Sequence, residues 1–154
     1  MKKLIAGAAA IVALAAGVAL AQDAPFGMEI KARQGLMAYK AINIGVLAGM
    51  AKGEMEYDAA KAKAAADALA ASAKMDQSMI WPPGSGNSAN PASTAADSIW
   101  AEGSNIGELS DAHTAAADAM AAAAGTDLAS LQGAMEALGG SCGACHKAHR
   151  VPAN

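Results

Sequence analysis

Five consecutive residues near the end of the chain, Cys142-Gly143-Ala144-Cys145-His146, bring two thiols and an imidazole together. The spacing C-x-x-C-H is the attachment sequence for haem c, in which each thiol adds to a vinyl group at the porphyrin edge and the adjoining imidazole reaches the iron. Two covalent tethers and one axial bond then come from a single short segment. Other uses of the same residues fit less well. A Cys142–Cys145 disulfide closes too small a loop to stabilise much and leaves His146 without a task. A thioredoxin-like pair needs a strand before its helix. Structural zinc needs four ligands, and only His113 or His149 would remain to complete the set. Copper(I) suits methionine and histidine, but the methionines do not recur at metal-binding intervals. No carboxylate pair or Ser-His-Asp set is visible, so the pattern is that of a cofactor carrier and not of an enzyme.

A porphyrin held this way must be enclosed, and the composition favours helices for the purpose. The chain has 154 residues, of which 45 are alanine and five aromatic. That length suits one domain. Its 54% hydrophobic content therefore consists mostly of small side chains that bury little area each. Good helix formers abound while residues suited to sheets are scarce, which predicts an all-α fold with a cofactor filling the space that alanine leaves. The formal charge of −3 and the lack of a basic patch exclude nucleic acid as a partner. Lys2 and Lys3 precede an uncharged apolar run, Leu4 to Leu20, that ends in Ala19-Leu20-Ala21. This pattern predicts a signal peptide over residues 1–21, cleaved after Ala21, rather than a membrane anchor, for which the run is short. The mature domain, residues 22–154, then carries about −5 and has no further membrane span.

Four helical segments are expected. Asp23 and Pro25 open the first, which runs to Met50 with apolar residues at three- and four-residue steps, among them Ile30, Met37, Ile44 and, on an adjoining face, Leu36, Tyr39, Leu47. Asp58 opens an alanine-dense second segment that ends near Lys74. Trp81-Pro82-Pro83-Gly84 and Pro91 break the chain into a long loop from Met75 to Ser93. The third segment is expected from Thr94 to Ala124, with His113 midway and far from the iron. The fourth starts after Thr126 or Asp127 and places Leu128, Leu131, Met135, Leu138, Cys142 and Cys145 on one stripe. Short first and last connections favour an antiparallel up-down-up-down bundle. Its antiparallel packing makes Met28, Met37, Met75 and Met79 all eligible to meet the iron opposite His146.

The whole mature chain resembles the class II cytochromes c, which comprise cytochrome c prime and low-spin relatives of the cytochrome c-556 type. The resemblance rests on Arg33-Gln34, Ala51-Lys52-Gly53, Ile99-Trp100-Ala101, the motif from Cys142 to His146, and Arg150. The sequence departs from the family at His149, where tyrosine is usual. The resemblance implies that the distal position lies four residues after Arg33, at Met37, so that Met37 and His146 close a six-coordinate, low-spin iron in an electron-transfer carrier. It also implies that Arg33 and Arg150 pair with the haem propionates. Family members lacking methionine there look high-spin and five-coordinate and bind nitric oxide or carbon monoxide, which is the alternative. The expected setting is the periplasm, the partners are redox proteins, and the chain is a monomer or homodimer.

Overall fold

The computed structural model describes residues 24–152. The expected signal peptide and Asp23 lie outside these residues. Four helices follow one another: α1 (Gly27–Ala51), α2 (Ala59–Lys74), α3 (Ile106–Ala123) and α4 (Leu128–His149). Each packs on its two neighbours in a ring, α1 on α2 and α4, α3 on α2 and α4. The Gln132 side-chain amide donates to the Ala51 carbonyl, joining the start of α4 to the end of α1. Tyr57 donates to the Ala124 carbonyl, joining the entry of α2 to the exit of α3. The helices therefore alternate in direction, as the sequence predicts. Among the described residues no helix is long and apolar enough to cross a membrane.

Local chemistry sets the ends. The Asp58 and Asp127 carboxylates accept from the backbone N–H of Lys61 and Ser130, capping α2 and α4. Gly53, at φ 73°, takes the left-handed position after α1, and Glu54 N–H returns to the Gly49 carbonyl, which closes the helix end. The start of α1 differs from expectation. Pro25 lies in the turn before the helix, Phe26 takes a left-handed conformation as its N-cap, and no side chain caps it. Asn90 instead pins the entry by donating to the Pro25 carbonyl at 2.9 Å.

The expected third helix begins late. Residues 94–105 form an irregular segment with a short 3-10 turn at Asp97–Trp100, and α3 starts only at Ile106. Their backbone groups are engaged elsewhere: Ala96 N–H donates to the His149 carbonyl, Val151 N–H to the Thr94 carbonyl, and Ala95 pairs with Arg150 as an isolated antiparallel bridge. The exit of α4 thereby holds this segment extended.

The largest apolar cluster lies toward one half of the bundle. Leu47, Met50, Leu69, Met120, Leu131 and Leu138 are its fully buried bulky residues, with alanines between them. They come from the last turns of α1 and α3, the second half of α2 and the first half of α4. Leu131, with no exposed surface, sits at the centre. Leu131→Ala is expected to cost about 2–5 kcal/mol, because alanine neighbours are too small to close the cavity; urea unfolding of the wild type and variant measures it.

Candidate functional site

The other half of the bundle is built differently. Cys142, Cys145 and His146 lie in the last two turns of α4, still helical, so a thiol, a second thiol and an imidazole stand at i, i+3 and i+4 on adjoining faces. Both thiols are free and half-buried, and His146 is exposed. Burial raises the Cys145 pKa above the ordinary thiol range, the neighbouring Cys142 adds to this, and Lys40 opposes it. Burial and then the positive charge of Arg150 lower the His146 pKa. The ring is thus biased toward the neutral form, which is the form that ligates metals. Gly139, Gly140 and Gly143 are exposed, and a Cβ at any of them would meet nothing within 4 Å.

Across from this turn runs the inward stripe of α1: Ile30, Arg33, Met37, Lys40, Ile44 and Leu47, at alternating steps of three and four. Ile30, Arg33, Lys40 and Leu47 are buried and Ile44 partly so, whereas Met37 is 39% exposed. The junction of Gln132 with Ala51 sets the antiparallel register of α1 and α4, which regular helices carry on toward Met37 and His146. In that register Met37 is level with Cys145 and His146. The other three eligible methionines, Met28, Met75 and Met79, are 77%, 58% and 83% exposed and none belongs to this stripe. Two thiols, an imidazole and an uncovered thioether are what an edge-tethered porphyrin requires, so the residues fit haem c. Among the described residues no group of three His, Cys, Asp or Glu side chains is placed to hold a metal ion.

The two arginines occupy unlike positions. Arg150 is exposed beside His146. Arg33 is 4% exposed and donates to the Ile80 carbonyl, the Ser85 hydroxyl and carbonyl, and the Ser93 hydroxyl, while its guanidinium stands 4.6 Å over the Trp81 ring. It is the hub of the long connection between α2 and α3. Trp100 belongs to the same assembly and not to the start of α3: its indole N–H donates to the Trp81 carbonyl, and the rings are 6.4 Å apart. Buried Gly86 is required here, since a Cβ would collide with the Asp97 carboxylate and lie 3.1 Å from the Trp100 ring. Arg33→Met is expected to cost on the order of 2 kcal/mol, by leaving these acceptors without a donor. It should also open residues 78–93 to proteolysis while leaving α4 protected; limited digestion followed by mass mapping reads both effects.

Sequence reasoning missed two histidine environments. His149 is buried, with Nδ1 2.9 Å from Ser98 Oγ and Nε2 2.9 Å from Asn105 Oδ1, so both ring nitrogens are engaged in clamping α4 to the connection. His113 is not remote from the attachment turn, as expected from its position along α3. It lies 3.2 Å from Ser141, the residue before Cys142, and 3.4 Å from Lys40. Its place on the α3 stripe was visible, and the short turn between Ala123 and Leu128 sets the antiparallel register that brings it to Ser141.

Comparison with known proteins bears on the same segment. Residues 28–150 match the family described as Cytochrome C'. Cytochrome c-554 of Cereibacter sphaeroides is 44% identical over 138 residues, 89% of this chain and 90% of that protein. A cytochrome c-556 of Agrobacterium tumefaciens is 35% identical over 80% of this chain and 97% of its own. Among solved structures, a cytochrome c' from Rhodobacter spheriodes superposes with a TM-score of 0.79 at 36% identity, covering 82% of this chain and 97% of that one.

Proposed function

The chain belongs to the cytochrome c' family, and on that footing we propose that it is an exported one-electron carrier whose haem c, tethered by Cys142 and Cys145, is ligated by His146 and Met37. The observation that carries the ligand assignment is the uncovered Met37 on an otherwise buried stripe, level with His146. Imidazole and thioether ligation supplies a low-spin, saturated iron with a raised reduction potential. The chain's own contribution is to hold these ligands in place. Consecutive turns of one helix fix both thiols and the imidazole, and the α1–α4 packing sets the height of Met37. Arg150, exposed beside His146, is the cation offered to the propionates, and Arg33 adds to it only through its uncompensated charge, since its N–H groups are held by neutral acceptors of the connection. With no substrate pocket called for, the protein acts as a carrier and not as an enzyme.

Export to the periplasm is supported by the Lys2-Lys3 leader and its small-residue end. A net negative mature chain favours redox partners that present a basic patch, and a monomer suffices for this role. Optical spectra of both oxidation states test the proposal. Low-spin bands with a methionine-to-iron charge-transfer absorption in the oxidised protein are expected. A high-spin spectrum, with carbon monoxide binding to the unaltered reduced protein, would make it a gas-binding five-coordinate cytochrome instead.

A further inference from the structure

Behind the attachment turn lies a polar cluster that electron carriage alone does not use. Lys40, one turn beyond Met37 on the inward stripe of α1, is only 9% exposed. Its Nζ is 3.4 Å from His113 Nε2, and His113 Nδ1 is 3.2 Å from Ser141 Oγ. Ser141 Oγ donates to the Leu138 carbonyl at 2.8 Å, so its hydrogen is committed and its oxygen accepts from His113 Nδ1–H. Nε2 then carries the lone pair, and the Lys40 ammonium donates to it. The cluster in this form holds one positive charge, on Lys40, next to a neutral imidazole.

That charge has no carboxylate partner. The ion pairs among the described residues are Lys63–Asp67 and Lys74–Asp118, both on exposed surface. The buried residues of α2 are alanines, Leu69 and Ser72. On α3, Glu108 and Asp111 are exposed and Asp118 is taken by Lys74. From α4 the cluster meets Ser141 together with Cys142 and Cys145, whose sulfurs become uncharged thioethers once haem is attached. On α1 itself, Arg33 is turned into the connection between α2 and α3. Burial holds Lys40 below the ordinary lysine range, and burial together with Lys40 holds His113 below the ordinary histidine range. An iron held by His146 would bring a change of charge to such a site each time it is reduced or oxidised.

We propose that Lys40 and His113 form a redox-linked proton site, resting on the haem c reading above: when a one-electron donor reduces the bound iron, the pair takes up a fraction of a proton from water and returns it on reoxidation. The sign follows from electrostatics. An added electron stabilises a nearby cation, so the pair binds its proton more tightly in the reduced state, and the reduction potential falls as rising pH strips that proton. The titration belongs to the pair, not to either residue.

Spectroelectrochemical titration of the holoprotein from acid to alkaline pH tests this. A proton affinity roughly tenfold higher in the reduced state is expected, equivalent to a fall of about 59 mV across the titration. Lys40→Arg keeps the charge but cannot titrate, so it should hold the neutral-pH potential and lose the alkaline slope. Lys40→Met should lower the potential and flatten it. If the Lys40 variants fail to fold, His113→Gln serves, and the midpoint pH of the slope should shift. A red wild-type protein with a pH-independent potential, a slope that persists in Lys40→Arg, or an unmoved midpoint in His113→Gln overturns the proton site and leaves the carrier intact. A colourless protein overturns the haem reading as well.

Discussion

Replacing Cys142 and Cys145 together with alanine yields a polypeptide whose mass contains no haem, and its stability in urea falls by on the order of 5 kcal/mol, a large share of what a domain of this size has. The reason is the lopsided core. Leu47, Leu69, Met120, Leu131 and Leu138 hold one half of the bundle. In the other half, α1 and α4 face each other with Met37 uncovered and Cys142 and Cys145 only half-buried. Alanine-rich helices gain most of their stability from packing rather than propensity, so without a bound porphyrin this half loses its reason to stay closed. Hydrogen exchange should show the loss unevenly. Amides of α1 near Met37 and the last turns of α4 should lose protection, while those near Leu131 should keep more of it. Uniform loss would mean that the two halves fold as one unit and that the other half has a core of its own. Retained haem mass and colour in the double variant, which has no cysteine left, would show that the haem is not held through thioether bonds.

The parts of this architecture that could be read from the chain are those decided locally. Asp58 and Asp127 cap the helices assigned to them, because capping needs only a carboxylate before a run of helix formers. The stripe Leu131, Leu138, Cys142, Cys145 keeps its period in α4 and puts the attachment residues on the inner side of the last turns. What could not be read depends on partners distant in sequence. Residues 94–105 are good enough helix formers to be taken for the start of α3, yet their backbone is claimed by residues 149–151, a choice made some 50 positions away. Arg33 stands in sequence between Lys31-Ala32 and Gln34-Gly35 and looks like a surface charge, but the folded connection wraps four acceptors and an indole around it. Lys40 is the sharpest case. A lysine on a helix is ordinarily solvated, and its burial follows from the pairing of α1 with α4. The unreadable residues are thus charges whose environment only tertiary packing creates.

Met37→Leu is expected to convert the iron from low to high spin. The methionine-to-iron charge-transfer band should disappear, carbon monoxide should bind the reduced protein, and the reduction potential should fall, since thioether ligation is what raises it. Leucine matches methionine closely in volume, so the helix register and the stability should change by less than about 1.5 kcal/mol, and the spectral change can be assigned to the lost sulfur. Met28, Met75 and Met79 provide the control. Each is more exposed than Met37 and lies off the α1 stripe, so leucine at any of them should leave the spectrum untouched. If one of those three abolishes the band while Met37→Leu does not, the register drawn from Gln132 and Ala51 is wrong. If none of the four changes the spectrum and the wild type is already high-spin, the gas-binding alternative holds and Met37 is packing. Ligation by Met37 further predicts that the potentials of the wild type and Met37→Leu differ at every pH. Substitution of Lys40 should alter the slope with pH but leave the charge-transfer band in place, which separates the group that bonds the iron from the group that only senses its charge.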